Sequence, residues 1–230
     1  MEYLSNIELY YTSPEKISGD LVIISGDESK HISKVMRHLP GDIIFVTNGA
    51  GKIFKSEIDN FNKDSVHLQI ISTYEYENKL SNINLCIPKL KNTERFEFAL
   101  EKCAEMGITN FFIYESSRSF ARGEKIDRWN KILLAAMKQS LLSYLPEIKR
   151  IYKISELQNL DGELIIFEQN SDNLFKEYKF NKDKKYYLIF GPEGGLSPDE
   201  LNLFNKANIF NLAENRLRSE TAIIKAVSLL

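Results

Sequence analysis

The first third of the chain has the pattern of short β-strands. Apolar and polar residues alternate over Lys52–Ile58 and Ser65–Ile71, which is typical of strands buried on one face. The run Asp42–Thr47 predicts a further strand, because it is short, apolar and rich in β-branched residues. Several short strands of this kind indicate a small β-barrel.

One helix is predicted among these strands. Asp27 is the expected N-cap of the segment SKHISKVMRHL. Its apolar stripe consists of Ile32, Val35, Met36 and Leu39. Its opposite face presents Lys30, Lys34, Arg37 and His38.

After the polar stretch Tyr74–Asn84, which is the best linker candidate, the pattern changes to alternating strands and helices. The predicted strands are Asn84–Pro88, Ile108–Glu115, Glu163–Glu168, Tyr186–Phe190 and Asn208–Leu212. The predicted helices are Thr93–Met106 and Ile126–Tyr144, with two more beginning near Ser197 and Ser219. This alternation is typical of an α/β domain with a largely parallel sheet. We therefore expect a β domain at residues 1–72 and an α/β domain at residues 73–230.

Composition excludes several classes of protein. The 230 residues are 43% hydrophobic and carry a net charge of -2, which excludes a disordered or collagen-like chain. The longest apolar run, Ile132–Met137, is far shorter than the roughly 20 residues that span a bilayer, and the amino terminus has no secretion-signal pattern. Cys86 and Cys103 form neither a disulfide framework nor a zinc site. We expect a cytoplasmic protein with no membrane or metal partner.

Charge is distributed unevenly along the chain. Residues 1–72 carry 7 basic and 10 acidic side chains, whereas residues 89–153 carry 13 basic and 8 acidic ones. A local basic surface binds nucleic-acid phosphates by releasing counterions. Ordinary scatter of charge over a solvated surface gives similar counts. Charge alone therefore leaves a nucleic-acid partner open.

The sharpest local motif is the glycine loop, residues Gly191–Gly195, between a buried strand and a capped helix. Ser197–Glu200 forms an S-x-x-E capping box with proline at the first helical position. Glycines let the backbone approach a ligand closely, but this loop matches neither a P-loop nor a dinucleotide fingerprint. A tight turn and a cofactor loop are both compatible with the pattern.

Two further loops follow predicted strands. Arg216, Arg218 and Glu220 crowd the loop before the last helix. Because ligands bind at strand-end loops on one edge of a parallel sheet, this loop and the glycine loop favour a shared pocket. The segment 116–122 contains Arg118 and Arg122, which fit either a phosphate site or a polar turn.

Taken in order, these segments resemble the RsmE family of 16S rRNA uracil-N3 methyltransferases. The matching motifs are HISKVMRHLPGD (31–42), KLKNTERFEFALEKCAEMGITNFF (89–112), SSRS (116–119), MKQSLLSYLPEI (137–148), IFGPEGGLSPDE (189–200) and LAENRLRSETA (212–222). The resemblance covers nearly the whole chain, and the order of GPEGG and LRSETA makes it specific.

The resemblance implies a PUA-like β-barrel that contacts RNA, followed by a SPOUT-type α/β domain with a C-terminal trefoil knot. It also implies a homodimer that acts on 16S rRNA in the 30S subunit and binds S-adenosylmethionine through three loops. The residues then expected to bind the cofactor are Phe167, Glu168, Gln169, Gly191, Pro192, Glu193, Gly194, Gly195, Leu212, Ala213, Asn215, Arg216 and Leu217. Those expected to contact RNA are Lys30, Lys34, Arg37, Arg118 and Arg122.

The same resemblance suggests catalytic roles. Arg118 and Arg218 are expected to hold the uracil oxygens or flanking phosphates, and Glu220 is a candidate base, although an arginine-rich site can favour the uracilate without one. We expect Arg218 to be buried and paired with Glu220, and a side chain placed at Gly194 to enter the cofactor site. Two other functions compete with this interpretation. One is ribose 2′-O-methylation by the same fold, and the other is RNA binding without catalysis.

Two positions depart from the family pattern. Ala213 stands where the family usually has glycine, so a Cβ must fit into a turn. Leu142 stands where the family usually has arginine, which is expected to weaken one RNA contact.

Overall fold

The computed structural model describes residues 4–119, 125–150, 153–204 and 207–230. The chain forms two compact units. The first unit contains residues 1–78 and 137–145, and the second contains residues 79–136 and 146–230. The sequence predicted a single domain boundary between residues 72 and 73. In the structure the first unit extends to residue 78 and also includes residues 137–145.

The first unit is built on a six-stranded sheet. Its strands are β1 (Leu9–Tyr11), β2 (Ile17–Ser18), β3 (Leu21–Ser25), β4 (Ile43–Thr47), β5 (Lys52–Phe61) and β6 (Ser65–Glu75), in the order β1-β4-β5-β6-β3-β2. Neighbouring strands are antiparallel except β1 and β4. The predicted strands β4, β5 and β6 are confirmed, and β1 to β3 were not predicted.

This sheet curls around one hydrophobic core. Tyr10 of β1 and Val22 of β3 belong to the same buried cluster as residues of the strands between them. The Thr12 hydroxyl donates a hydrogen bond to the Ile23 carbonyl at 2.7 Å, which joins the end of β1 to β3. The small β domain predicted from the sequence is therefore a largely antiparallel sheet rolled around its own apolar face.

The helix predicted after β3 is short and irregular. It consists of α1 (Asp27–Lys30) and a π-helical turn (His31–Val35). The predicted N-cap at Asp27 is wrong, because Gly26 precedes the helix with a φ of 73°. Among the four residues of the predicted apolar stripe, only Ile32 is buried, and the others are exposed by 64, 43 and 66% in chain order. The wider π turn rotates these side chains away from the positions that an α-helix would give them.

The second unit contains a six-stranded parallel sheet. Its strands are β7 (Ile83–Pro88), β8 (Asn110–Tyr114), β9 (Glu147–Arg150), β10 (Glu163–Phe167), β11 (Tyr186–Ile189) and β12 (Asn208–Phe210), in the order β12-β10-β11-β7-β8-β9. Every neighbouring pair is parallel. The predicted α/β class is confirmed, although β9 was not predicted.

Both faces of this sheet are covered. Along β11, Tyr186 and Leu188 belong to one buried cluster, and Tyr187 and Ile189 belong to another. Because both faces are buried, the strand is a continuous apolar run in the sequence. The α-helices described after β7 are α2 (Thr93–Glu105), α3 (Ile126–Gln139), α4 (Pro198–Asn202) and α5 (Ser219–Val227), and the last three residues of α3 belong to the first unit. No helix among the described residues is both long and apolar enough to cross a membrane.

The helix α3 ends at Gln139 rather than near Tyr144 as predicted. Leu141 has a left-handed φ of 56°, which breaks the helix. The backbone after the helix forms hydrogen bonds with the segment before β5. Gly51 N–H donates to the Ser143 carbonyl at 2.9 Å, and Leu145 N–H donates to the Gly49 carbonyl at 2.9 Å. These pairs replace the helical hydrogen bonds that the sequence pattern predicts.

Replacing Gly51 with alanine should destabilise the first unit more than replacing Gly41. Both glycines have left-handed φ values, 100° and 91°. A Cβ on Gly51 would lie 2.5 Å from the Tyr144 hydroxyl oxygen, whereas a Cβ on Gly41 would meet nothing within 4 Å. We expect Gly41→Ala to cost about 1–2 kcal/mol through backbone strain alone, and Gly51→Ala to cost clearly more. Urea unfolding measures both, and equal losses would show that the tyrosine contact is unimportant.

Candidate functional site

A cavity of about 300 Å³ lies at the carboxyl edge of the parallel sheet. Three strand-end loops line it: Phe167–Gln169 after β10, 190–195 after β11, and 211–217 after β12. These loops meet because β10 lies between β11 and β12 in the sheet. The volume is at the lower end of the range of about 300–1,000 Å³ that is usual for small-molecule sites.

Every residue that the resemblance assigns to cofactor binding lines this cavity. Four lining residues were not predicted: Phe190, Asn211, Ser219 and Ala222. The sequence placed Phe190 inside a strand and Ala222 inside a helix, so neither looked like a loop residue. The Phe190 ring stacks on Phe167 at a centroid distance of 4.7 Å and an interplanar angle of 22°. Because Phe190 is buried and Phe167 is half-buried, it is the Phe167 ring that gives the cavity an apolar wall.

The glycine loop is a tight turn whose shape depends on specific glycines. Gly195 has a φ of 70°, and its N–H donates to the Pro192 carbonyl at 2.8 Å. A Cβ on Gly191 would lie 3.1 Å from the backbone nitrogen of Leu196, so the loop backbone must shift by a few tenths of an ångström to admit one. A Cβ on Gly194 would instead meet the side chain of Arg118 at 3.4 Å. The expectation that a side chain at Gly194 would enter the cavity stays a prediction, because Gly194 lines the cavity while its Cβ would lie beside Arg118.

Arg118 contacts the glycine loop directly. It lies in the loop after β8, and its Nη1 donates to the Gly194 carbonyl at 2.6 Å and lies 3.5 Å from the Leu196 carbonyl. Its side chain is otherwise exposed. A second link holds the same loop, since the Glu193 carboxylate accepts a hydrogen bond from Lys91 N–H at 2.9 Å. Arg122, the other arginine predicted here, lies outside the described residues.

Glu200 is a buried carboxylate with three hydrogen-bond donors. It accepts from Ser117 N–H at 2.7 Å, from Ser197 N–H at 2.8 Å and from the Ser116 hydroxyl at 3.2 Å. Burial raises the pKa of Glu200, but these hydrogen bonds lower it by more, so the pKa lies below its ordinary value. The predicted capping box is confirmed, because the Ser197 hydroxyl also accepts from Glu200 N–H at 3.2 Å. The contacts with Ser116 and Ser117 were not predicted.

The expected pair between Arg218 and Glu220 is wrong. The Glu220 carboxylate lies 3.5 Å from Nε of Arg95, near the start of α2. Arg218 is exposed rather than buried, and no hydrogen bond or ion pair to its side chain is found within the described residues. Arg218 has the extended backbone of an N-cap, whereas Glu220 lies in the first turn of α5, which packs against α2.

The cations predicted for RNA binding in the first unit are all exposed. Lys30 forms an ion pair with Asp27 at 3.3 Å. In the part of the chain that the structure describes, neither Lys34 nor Arg37 has an acidic partner. Of the three cations, Lys34 and Arg37 are therefore the two without an ion pair among the described residues.

Ala213 fits its turn without strain. It is not among the residues with a positive φ, and its N–H donates to the side-chain oxygen of Asn211 at 3.1 Å. The Cβ that replaces the usual glycine is thus accommodated.

Two family models match the chain. The model described as an RNA methyltransferase domain matches residues 77–230, and the model described as an RNA methyltransferase PUA domain matches residues 24–71. A curated relative from Aquifex aeolicus (strain VF5), named ribosomal RNA small subunit methyltransferase E, is 27% identical over 222 residues, covering 94% of this chain and 96% of the relative. The protein of the same name from Bacillus subtilis (strain 168) is 28% identical over 224 residues, covering 89% and 87%.

A solved structure shows the same fold. It is a methyltransferase from Legionella pneumophila in complex with its bound cofactor, S-adenosylmethionine. The two structures superpose with a TM-score of 0.85 at 25% sequence identity, covering 97% of this chain and 96% of the other.

Proposed function

We propose, since this chain belongs to the RsmE family of RNA methyltransferases, that it methylates N3 of a uridine in 16S rRNA of the small ribosomal subunit with S-adenosylmethionine as methyl donor. The observation that carries this proposal is the cavity between three strand-end loops. All residues assigned to the cofactor by family resemblance lie around it, although they come from separate parts of the sequence.

The lining of the cavity suits S-adenosylmethionine. The half-buried ring of Phe167, which stacks on the buried Phe190, offers apolar surface to a planar purine, and the glycine loop brings its backbone polar groups to the wall. Glu168 and Asn215 add hydrogen-bonding groups suited to amino and hydroxyl groups. When bound, S-adenosylmethionine supplies a methyl group on a positively charged sulfur.

The residues beside the cavity can activate the uridine. N3 becomes nucleophilic when it loses its proton, and negative charge then spreads to the uracil oxygens. Arg218 follows Leu217, which lines the cavity, and its guanidinium is free to donate two parallel hydrogen bonds to those oxygens or to a phosphate. Glu220 is the proposed proton acceptor, and its carboxylate forms an ion pair with Nε of Arg95 at 3.5 Å.

The first unit is proposed to bind the RNA through the surface around Arg37. Lys34 and Arg37 are exposed cations, and Val35, Met36 and Leu39 beside them are exposed apolar side chains. Cations neutralise phosphates, while apolar side chains contact unstacked bases. Extraction of the target base from its stack costs a few kcal/mol, which such contacts must offset.

Neutralising Lys30, Lys34 and Arg37 together should weaken RNA binding and reduce its salt dependence. We expect the slope of log K against log salt to fall by about 0.7–0.9 for each lost phosphate contact. Affinity for a 16S rRNA fragment is measured at several salt concentrations. Replacing the exposed lysines 179, 182 and 185 with glutamine changes the net charge equally and serves as the control. If the slope of log K against log salt falls equally in both triple variants, the surface around Arg37 is not the contact site.

Nucleoside analysis of 30S subunits incubated with the purified protein and S-adenosylmethionine tests the proposed reaction. We expect 3-methyluridine in the 16S rRNA only when the protein is present. A 2′-O-methylated nucleoside would instead identify a ribose methyltransferase. RNA binding with neither methylation nor cofactor affinity would identify a non-catalytic module. We also propose that the protein is a homodimer, and sedimentation analysis of the purified protein alone tests this.

A further inference from the structure

The glycine loop is held by a closed ring of hydrogen bonds. Arg118 donates to the Gly194 carbonyl, the chain continues from Gly194 to Ser197, and Ser197 N–H donates to Glu200. Glu200 also accepts from Ser117 N–H, next to Arg118, and this contact closes the ring. We call the set formed by Ser116, Ser117, Arg118, Gly194, Ser197 and Glu200 the loop clamp. It joins the loop after β8 to the loop that lines the cavity.

The carboxylate of Glu200 is the centre of the loop clamp. One of its oxygens accepts from Ser117 N–H, and the other accepts from Ser197 N–H and the Ser116 hydroxyl. A buried carboxylate is costly unless such donors surround it. An uncharged amide in its place would turn an NH₂ group toward at least one donor and leave that donor unpaired. The charge of Glu200 is therefore required for all three contacts.

Helix capping explains only part of this arrangement. A capping box needs the two reciprocal bonds between Ser197 and Glu200. The bonds to Ser116 and Ser117 come from a distant part of the sequence and contribute nothing to the start of α4. They do fix the base of the loop that carries Arg118.

We propose that Glu200 is a positioning residue for methyl transfer, which holds Arg118 and the glycine loop in one fixed arrangement through the loop clamp. This inference rests on the proposed function. It gives Arg118 a defined place: its guanidinium sets the position of the Gly194 carbonyl on one side and stays accessible to RNA on the other. A shift of about 1 Å in such an arrangement can slow a reaction by up to about 10²-fold.

The comparison of Glu200→Gln with Ser197→Ala tests the proposal. Ser197→Ala removes the hydroxyl that caps α4, whereas a glutamine at position 200 can still accept from Ser197 N–H as a capping-box residue. Only Glu200→Gln disturbs the contacts with the loop after β8. We expect similar losses of melting temperature in both. In single-turnover methylation of 30S subunits at saturating cofactor, we expect a rate loss of about 10–100-fold for Glu200→Gln and less than about threefold for Ser197→Ala.

Hydrogen exchange provides a readout that does not depend on activity. In Glu200→Gln, the amides of residues 115–119 and 191–197 should both exchange faster, whereas in Ser197→Ala only those of residues 197–202 should. Should Glu200→Gln fail to fold, Ser116→Ala removes one donor to the carboxylate and the hydroxyl that accepts from Arg118 N–H, and it is expected to lower the rate about 3–10-fold with a loss of only a few degrees in melting temperature.

Two results separate the possible failures. Equal methylation rates and exchange patterns in Glu200→Gln and Ser197→Ala would overturn the positioning role and leave Glu200 as a helix cap. Absence of methylation and of cofactor binding in the wild-type protein would instead overturn the proposed function itself.

Discussion

Arg218→Lys is expected to slow methyl transfer by about 10²–10³-fold while cofactor affinity changes by less than about threefold. Arg218 is exposed and has no partner within the described residues, so its guanidinium is available to the substrate. Lysine keeps the charge but loses the planar fork that donates two parallel hydrogen bonds. Because the developing negative charge lies on the uracil, the loss should fall on the rate rather than on cofactor binding.

Single-turnover methylation of 30S subunits, with calorimetric titration of S-adenosylmethionine, measures both quantities. The melting temperature of Arg218→Lys should equal that of the wild type, since no contact within the described protein is lost. Arg128→Lys is the matched control, because Arg128 is an exposed arginine on α3 outside the cavity lining, and lysine keeps the positive charge beside Glu97. A normal rate for Arg218→Lys would leave Arg218 with no role in the chemistry.

The strands and loops that form the cavity could be predicted because their causes are local. A strand of a covered parallel sheet is apolar at every position, as at Tyr186–Ile189, and the glycines that follow it mark its end. Ligand-binding loops lie at the carboxyl ends of such strands, so the loops after β11 and β12 were already expected to share a pocket. Only the family resemblance added Phe167–Gln169, whose residues have no distinctive pattern.

The contacts between distant residues could not be predicted in the same way. Nothing in the sequence near Glu220 indicates that its carboxylate pairs with Arg95, because this pair depends on how α5 packs against α2. The end of α3 at Gln139 is set by the hydrogen bonds that Ser143 and Leu145 form with Gly51 and Gly49. Periodicity reports the environment of a helix face, but it carries no information about a π turn such as His31–Val35.

The double role of Glu200 shows why a correct motif can hide a second function. The S-x-x-E pattern predicted its bond with Ser197, and this prediction is confirmed. A carboxylate has more acceptor sites than a cap uses, and the remaining ones are filled by Ser116 and Ser117. Tertiary structure alone decides which donors reach them.

Gly191→Val is expected to weaken binding of S-adenosylmethionine by about 10–100-fold, which corresponds to the roughly 1–3 kcal/mol that overpacking costs. A Cβ at this position would lie 3.1 Å from Leu196 N and 3.2 Å from the Cα of Gly195. These neighbours are backbone atoms, so the loop must open to admit the side chain. Since the same loop lines the cavity, its polar groups would leave the positions that fit the cofactor.

Gly194→Val is the matched control for this experiment, because it makes the same chemical change three residues further along the same loop. Its Cβ would meet the flexible side chain of Arg118 at 3.4 Å, which can move aside. We therefore expect a loss of cofactor affinity of less than about tenfold, accompanied by slower methylation because the bond from Arg118 to the Gly194 carbonyl is disturbed. Calorimetric titration of both variants, after thermal melting has shown that they are folded, measures the difference. Equal affinities in the two variants would mean that the tight backbone contacts of Gly191 do not shape the site, and wild-type affinity in both would remove the glycine loop from cofactor binding.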